Sequence, residues 1–331
     1  MSLYLVAITH HTATSQELET VYLDQSEREE LGARLLLMGI GSVFIATCNR
    51  FELVAEGSDV SLIHRVVMDY MATRRSVTPL FWRRHAVIAH DREAMLHLFK
   101  VASGMDSMII GEDEILSQVK NAYALYLERG YTTPVLNKVF QLAIAVGKRA
   151  RHETSISKGS YSVSSLAIDY FRKLDLEWFN RSVLIVGAGM MGIRTLKKLH
   201  ALGHQRLTLV NRTDIKLRPF LESFKVNTFP FEALSTRIND YDVVVMAVAV
   251  AKPIVTASWN VAQVQLMLDL GMPRNIEVGV GQHVITVETL KSLTDANVAK
   301  RRDEMQKVSE IIDAELDRFT EWVGYRETVV V

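Results

Sequence analysis

The sequence predicts an α/β protein of two domains followed by a long C-terminal helix. Three observations carry this prediction. Short apolar runs alternate with helical patterns up to Asp91, helical patterns alone follow it, and strand–helix alternation resumes at Ser182. The expected boundaries are an N-terminal α/β domain with a helical part over 1–155, a nucleotide-binding domain over 156–289 and the long helix over 290–331.

Each element has its own signal. Residues 3–9 form an apolar run of strand type, and residues 26–38 are rich in the helix formers Glu, Arg and Leu. Residues 42–46 and 51–55 predict two short strands joined by a loop that carries Cys48, and a helix follows over 60–73. Helices are expected over 91–101, 113–129, 134–152 and 161–173, with Gly130 and Pro134 as breaks. After a shift in composition at 174–181 come a strand over 182–186, a helix over 190–202 and a strand over 206–210. A helix near 214–223 and strands over 242–248 and 265–270 complete a doubly wound pattern. From Leu290 to about Val323, Met305, Val308, Ile312, Leu316 and Phe319 recur at helical spacing. A helix of roughly 30 residues is about 45 Å long, which is too long for one small domain to cover. It should bridge domains or pair with another chain. No internal repeat occurs.

Composition narrows the class. The 331 residues are 48% hydrophobic and 23% charged, as in a soluble globular protein, and no apolar run reaches the ~18 residues of a membrane helix. The N-terminus lacks the basic start of a signal peptide, and one cysteine suits a reducing compartment, so a cytoplasmic location is expected. Formal net charge is zero, which excludes a global attraction to nucleic acid. An RNA partner would need local clusters such as Arg74-Arg75, Arg83-Arg84-His85 or Lys148-Arg149-Ala150-Arg151, each of which also reads as ordinary solvated surface.

Two motifs carry chemistry. Gly187-Ala188-Gly189-Met190-Met191-Gly192 lies between an apolar strand and a helix, the setting of a Rossmann-type dinucleotide loop. The next strand ends in Asn211-Arg212-Thr213, which offers donors and a positive charge where a carboxylate would repel a 2′-phosphate, so a Rossmann-type NADP-binding domain and NADPH are expected. The same loop also suits a Rossmann-like domain that holds no cofactor. Cys48 sits in the polar run Thr47-Cys48-Asn49-Arg50, where a guanidinium would stabilise a thiolate. Taken alone it is equally a buried, inert thiol. His97 lies in a helical run, where a histidine reads first as a core residue. Ser103-Gly104-Met105-Asp106-Ser107-Met108, with Gly111-Glu112 after it, has the small and polar residues of a ligand-cradling turn. No metal site is expected.

In order along the chain, these segments resemble the glutamyl-tRNA reductase family. The resemblance rests on Thr47-Cys48-Asn49-Arg50 with Glu52, His97, Val101 to Met108, Gly111-Glu112, Gln118-Val119-Lys120, Arg151, Glu153-Thr154, Ser162 to Ser165, the glycine-rich loop, Asn211-Arg212-Thr213 and Pro273-Arg274. It implies NADPH-dependent reduction of glutamyl-tRNA to glutamate-1-semialdehyde through a thioester on Cys48. His97 would orient the ester or assist proton transfer. Thr47, Asn49, Arg50, Glu52, Ser107, Glu112 and Gln118 would bind the glutamyl group, with Arg50 facing its side-chain carboxylate. Gly187 to Gly192 and Asn211 to Thr213 would hold the cofactor, and the partners implied are glutamyl-tRNA and a downstream glutamate-1-semialdehyde aminomutase.

Three departures accompany the resemblance. The Pro and Arg expected shortly after Thr12-Ala13 are absent, Met246-Ala247-Val248-Ala249-Val250 replaces a Ser-Thr-Gly turn, and the sequence ends at Val331, before the family's helical dimerisation domain. They leave two other readings open: a relative acting on another aminoacyl-tRNA or acyl donor, and a non-catalytic relative that binds tRNA or a protein partner.

Overall fold

The structure, a computed structural model, describes residues 2–47, 49–157, 163–174, 177–292 and 302–329. Cys48 therefore lies outside the described residues. The chain forms two compact units, residues 1–160 with 296–331 and residues 161–295.

The first unit opens with β1 (Ser2–Thr9), α1 (Ser15–Thr20), α2 (Gln25–Leu37), β2 (Gly41–Thr47) and β3 (Arg50–Gly57). It continues with α3 (Val60–Arg75), α4 (Pro79–His85), β4 (Val87–His90), α5 (Asp91–Ser103), α6 (Glu114–Glu128) and α7 (Pro134–Glu153). The strands form an antiparallel sheet in the order β2-β3-β1-β4. Helix starts follow local chemistry: Thr14 and Asp24 form capping boxes with Glu17 and Glu27, and Thr78 and Thr133 cap helices that begin at proline. Helices α1 and α4 and the edge strand β4 are additions to the sequence reading. At four to seven residues, each is too short to show a period. Every residue of β3 is buried, and the charged Arg50, Glu52 and Glu56 with it. Arg50 and Glu52 meet the condition for burying charge, since they pair with each other.

The second unit comprises α8 (Val163–Leu174), β5 (Val183–Val186), α9 (Met190–Ala201), β6 (Leu207–Val210), α10 (Arg218–Phe224) and α11 (Leu234–Arg237). After them come β7 (Val243–Met246), β8 (Leu266–Asp269), β9 (Val284–Thr286) and α12 (Val287–Ser292). Its sheet is parallel, in the order β6-β5-β7-β8-β9, so the topology reverses direction between β5 and β7. Strands β5 to β8 are fully buried and mostly apolar because both faces are covered, with Thr208 in β6 and Asp269 at the end of β8 as the polar members. Val186, Val210, Val244, Met246, Met267 and Ile276 build one side of that core.

The last helix, α13 (Arg302–Val329), belongs to the first unit and packs on α7 and α5. Val308, Ile312 and Leu316 are at most 1% exposed, so the apolar stripe read from the sequence is covered by the chain itself. Glu315 sits in the same face, buried, and pairs with Arg149 at 2.8 Å and Arg318 at 2.7 Å. Of the helix expected from Leu290 to about Val323, the described residues show α12 over Val287–Ser292 and α13 from Arg302 onward. Residues 293–301 lie outside the described residues. No helix among the described residues is long and apolar enough to cross a membrane.

Candidate functional site

The loop between β2 and β3 sets the first site. Thr47 and Arg50 pair at the strand ends, the Asn49 amide donates to Thr47 Oγ1 at 3.2 Å, and the His10 amide donates to the Asn49 carbonyl at 2.9 Å. Two and four residues after Cys48 in sequence, Arg50 and Glu52 enter the interior. Arg50 Nη1 donates to Glu52 Oε1 at 2.6 Å and to Asp106 Oδ2 at 3.0 Å, and Nη2 donates to the Asp106 carbonyl at 2.5 Å. Helix α5 brings His97, whose Nε2 lies 3.0 Å from Glu52 Oε1. His11 reaches Asp106 at 3.4 Å.

The turn after α5 is fixed from outside. Arg151 of α7 donates to the carbonyls of Ala102, Gly147 and Glu112 at 3.0, 2.8 and 2.6 Å, and pairs with Asp113. Ser107 and Glu112, in that turn, are buried polar residues. Gln118, on α6, is half-buried and lines a cavity of about 380 Å³ with Phe44, Ile45 and Ala46 of β2 and Arg28 of α2.

The charges in this network are mutually dependent. Burial opposes ionisation of Glu52, but His97 and Arg50 overcome it and keep its carboxyl below the usual range. Burial also opposes the imidazolium of His97, yet Glu52 and, behind it, Asp106 hold the ring above its ordinary value. Asp106 stays ionised against burial because of His11 and Arg50. Glu112 behaves oppositely: burial, then the Glu114 carboxylate, push it up to about 7. With His97 protonated, the two cations balance Glu52 and Asp106; without that proton one negative charge is in excess. Glu52, His97 and Asp106 bring potential ligand atoms within 4.8 Å of one another, but the Arg50 guanidinium already bonds to both carboxylates. A divalent cation there would meet a buried positive charge. Glu52 Oε2 is buried and has no hydrogen-bond partner among the described residues, so one acceptor remains beside Arg50.

The second site is the glycine-rich loop. Gly187 has φ +111°, and a β-carbon on it would lie 2.4 Å from the Ala247 carbonyl oxygen. A β-carbon on Gly192 would lie 1.9 Å from the Gly187 carbonyl oxygen, so α9 can approach β5 only with glycine there. At Gly189 a β-carbon would meet nothing within 4 Å, and no side chain caps the start of α9. This open N-terminus fits a pyrophosphate. Asn211 Oδ1 accepts from the Ala188 amide at 3.1 Å, which ties the loop to the end of β6, while Arg212 and Thr213 are exposed beyond it. Ala188, Met190 and Met191 take part as backbone of the loop and first turn.

Comparison with known proteins fits both units. Residues 6–154 match the family described as glutamyl-tRNAGlu reductase, N-terminal domain, and residues 170–293 match shikimate / quinate 5-dehydrogenase. A glutamyl-tRNA reductase of Thermus thermophilus is 35% identical over 98% of this chain and 82% of its own length. The chain belongs to the glutamyl-tRNA reductase family. A glutamyl-tRNA reductase of Chlorobaculum parvum is 30% identical over 100% of the chain and 82% of its own length. The solved structure of the Methanopyrus kandleri glutamyl-tRNA reductase is 31% identical, covers 97% of this chain and 80% of its own, and superposes with a TM-score of 0.52. A nicotinamide cofactor accords with this membership and with the glycine-rich loop.

Within this glutamyl-tRNA reductase fold, the structure joins Arg50, Glu52 and His97 in one bonded cluster. Arg50, expected to face a substrate carboxylate, is bonded to two carboxylates of the protein. The sequence reading passed over Asp106 and His11 as members. The signal for Asp106 was an acidic residue inside a Gly-Met-Asp-Ser turn directly after the His97 helix.

Proposed function

We propose that the chain is an NADPH-dependent glutamyl-tRNA reductase acting through a thioester on Cys48, the first step of tetrapyrrole synthesis by this route. The observation that carries the reading is His97, held toward its protonated form by Glu52, on the strand that leaves the Cys48 loop. The Cys48 sulfur attacks the ester carbonyl carbon, and the bond from that carbon to the ribose oxygen breaks. His97 supplies the proton that the departing oxygen takes. Thr47, Asn49, Ser107, Glu112 and Gln118 hold the glutamyl group, while Arg50 and Glu52 fix His97 and the turn of Asp106.

NADPH, held by the Gly187 to Gly192 loop, would supply the hydride that converts the thioester carbonyl carbon to an aldehyde, with the carbon–sulfur bond broken, the thiolate left on Cys48 and glutamate-1-semialdehyde released. Gly187 to Gly192 hold the pyrophosphate. Asn211, Arg212 and Thr213 receive the adenosine end, with Arg212 favouring a 2′-phosphate. The chemistry suits the cytoplasm, and the reactive amino aldehyde would pass to an aminomutase.

Purified protein supplied with NADPH and glutamyl-tRNA should oxidise NADPH and yield a trappable aldehyde. Cys48→Ser should abolish both. Reduction of free glutamate, or a rate as high with NADH as with NADPH, would refute the reading.

A further inference from the structure

The order of strand addition reverses between β5 and β7, so a dinucleotide crossing the strand ends there would have its pyrophosphate on the Gly187 loop. Its adenosine end lies toward β6. Its nicotinamide end then lies toward the turn that follows β7, residues 247–249. That turn carries no hydrogen-bonding side chain: Ala247, Val248 and Ala249 are all apolar. It is nevertheless built tightly against the loop, because a β-carbon on Gly187 would lie 2.4 Å from the Ala247 carbonyl oxygen and 2.9 Å from Val248 Cγ1.

What holds the turn comes from the loop that follows β8. Asn275 is completely buried. Its Oδ1 accepts from the Val248 amide at 3.0 Å, and its Nδ2 donates to the Val248 carbonyl at 3.0 Å. The side chain thus pairs with both backbone groups of one residue, as a neighbouring strand would. Nδ2 also donates to the Pro273 carbonyl at 3.1 Å. Asn275 is itself anchored. Its amide donates to Asp269 Oδ2 at 3.0 Å, and its carbonyl accepts from the amides of Ile254 and Val255 at 2.8 and 3.0 Å. Asp269, at the end of β8, also receives the amides of Gly271 and Ile276. Asparagine is the residue that fits: aspartate lacks the donor, and glutamine is one methylene longer.

We infer that Asn275 is a positioning residue for the nicotinamide half of the cofactor, fixing the 247–249 turn through Val248. This rests on the proposed reductase reading for its chemistry but is testable by binding alone. The probes are NADPH and 2′-phospho-ADP-ribose, which lacks the nicotinamide, titrated against the full chain and against Asn275→Ala, Asn275→Asp and Gly271→Ala. A β-carbon at Gly271 would lie 2.2 Å from Asn275 Nδ2, so the last variant disturbs the same amide from outside.

The expected result is that 2′-phospho-ADP-ribose binds each variant within about twofold of the wild type, while NADPH loses about tenfold, the scale of one or two hydrogen bonds. With NADPH deuterated at the transferred position, the isotope effect on aldehyde formation should rise, because a loosened ring makes hydride transfer slower. Unchanged NADPH affinity in variants that bind 2′-phospho-ADP-ribose normally would overturn the inference. So would equal loss of both probes in all three variants, which would make Asn275 a structural residue of the whole unit. If the wild type binds both probes but forms no aldehyde, the reductase reading fails and the binding comparison still decides the role of Asn275.

Discussion

Two ionisable residues of the first site, buried Glu112 and half-buried His97, both hold a proton more tightly in the folded chain. Glu112 is protonated more readily in the folded chain than in the unfolded one, its pKa rising from 4.5 to about 7 through burial and Glu114. The stability it contributes is fully present below pH 4.5 and is lost as pH rises through about 7. Glu112→Gln should therefore gain on the wild type across that window, by about 2–3 kcal/mol at its upper end, and run parallel above it. Urea melts at a series of pH values check this; a constant gap would contradict it. His97 is also raised, against burial, by Glu52 and Asp106. Its pairing with Glu52 stabilises the fold fully below the unfolded value of 6.5 and is lost as pH rises through the higher folded value. His97→Gln should lose about 1–3 kcal/mol at low pH and approach the wild type at high pH in the same melts. The sequence displayed His97, Arg50 and Glu52 as candidates. It did not display that Arg50 is enclosed by protein carboxylates, because Asp106 lies 56 residues away and only the fold brings it to 3.0 Å.

Among the elements, the strand–loop–helix of the second unit was fully legible, because its glycines answer local steric demands. Gly192→Ala places a β-carbon 1.9 Å from the Gly187 carbonyl oxygen, a backbone atom that must move. NADPH affinity should fall at least about tenfold, read by fluorescence titration. An unchanged affinity would mean that the loop does not hold the pyrophosphate. The edge strand β4 was not legible. Val87–His90 has an exposed, exposed, buried, exposed pattern, and only its pairing with β1 makes it a strand.

For the whole molecule, zero net charge forces any tRNA contact onto local clusters, and the structure sorts them. Arg74 and Arg75 are paired with Glu30 and Glu27, and Arg149 and Arg151 with Glu153, Glu315 and Asp113. Arg83 and Arg84 are exposed on α4, and no ion pair involves them among the described residues. If tRNA phosphates meet this face, Arg83→Ala with Arg84→Ala should lower the salt dependence of glutamyl-tRNA binding by about 0.7–0.9 per lost phosphate contact, measured from 50 to 200 mM salt. Arg74→Ala should leave the slope unchanged, and a slope equal in both variants would exclude this face.

By itself the sequence determined the two classes of architecture, the cofactor loop, the cysteine run and the family. The architecture and the glycine-rich loop are written in contiguous residues whose conformations follow from local sterics and periodicity, while the family is carried by motifs spread in order along the chain. Only the tertiary structure decided which charges meet, where the last helix lies and what holds the turn after β7. Arg50 and Asp106, Arg149 and Glu315, and Val248 and Asn275 are far apart in the chain. Burial makes each partner obligatory, and no local pattern records which partner the fold will supply.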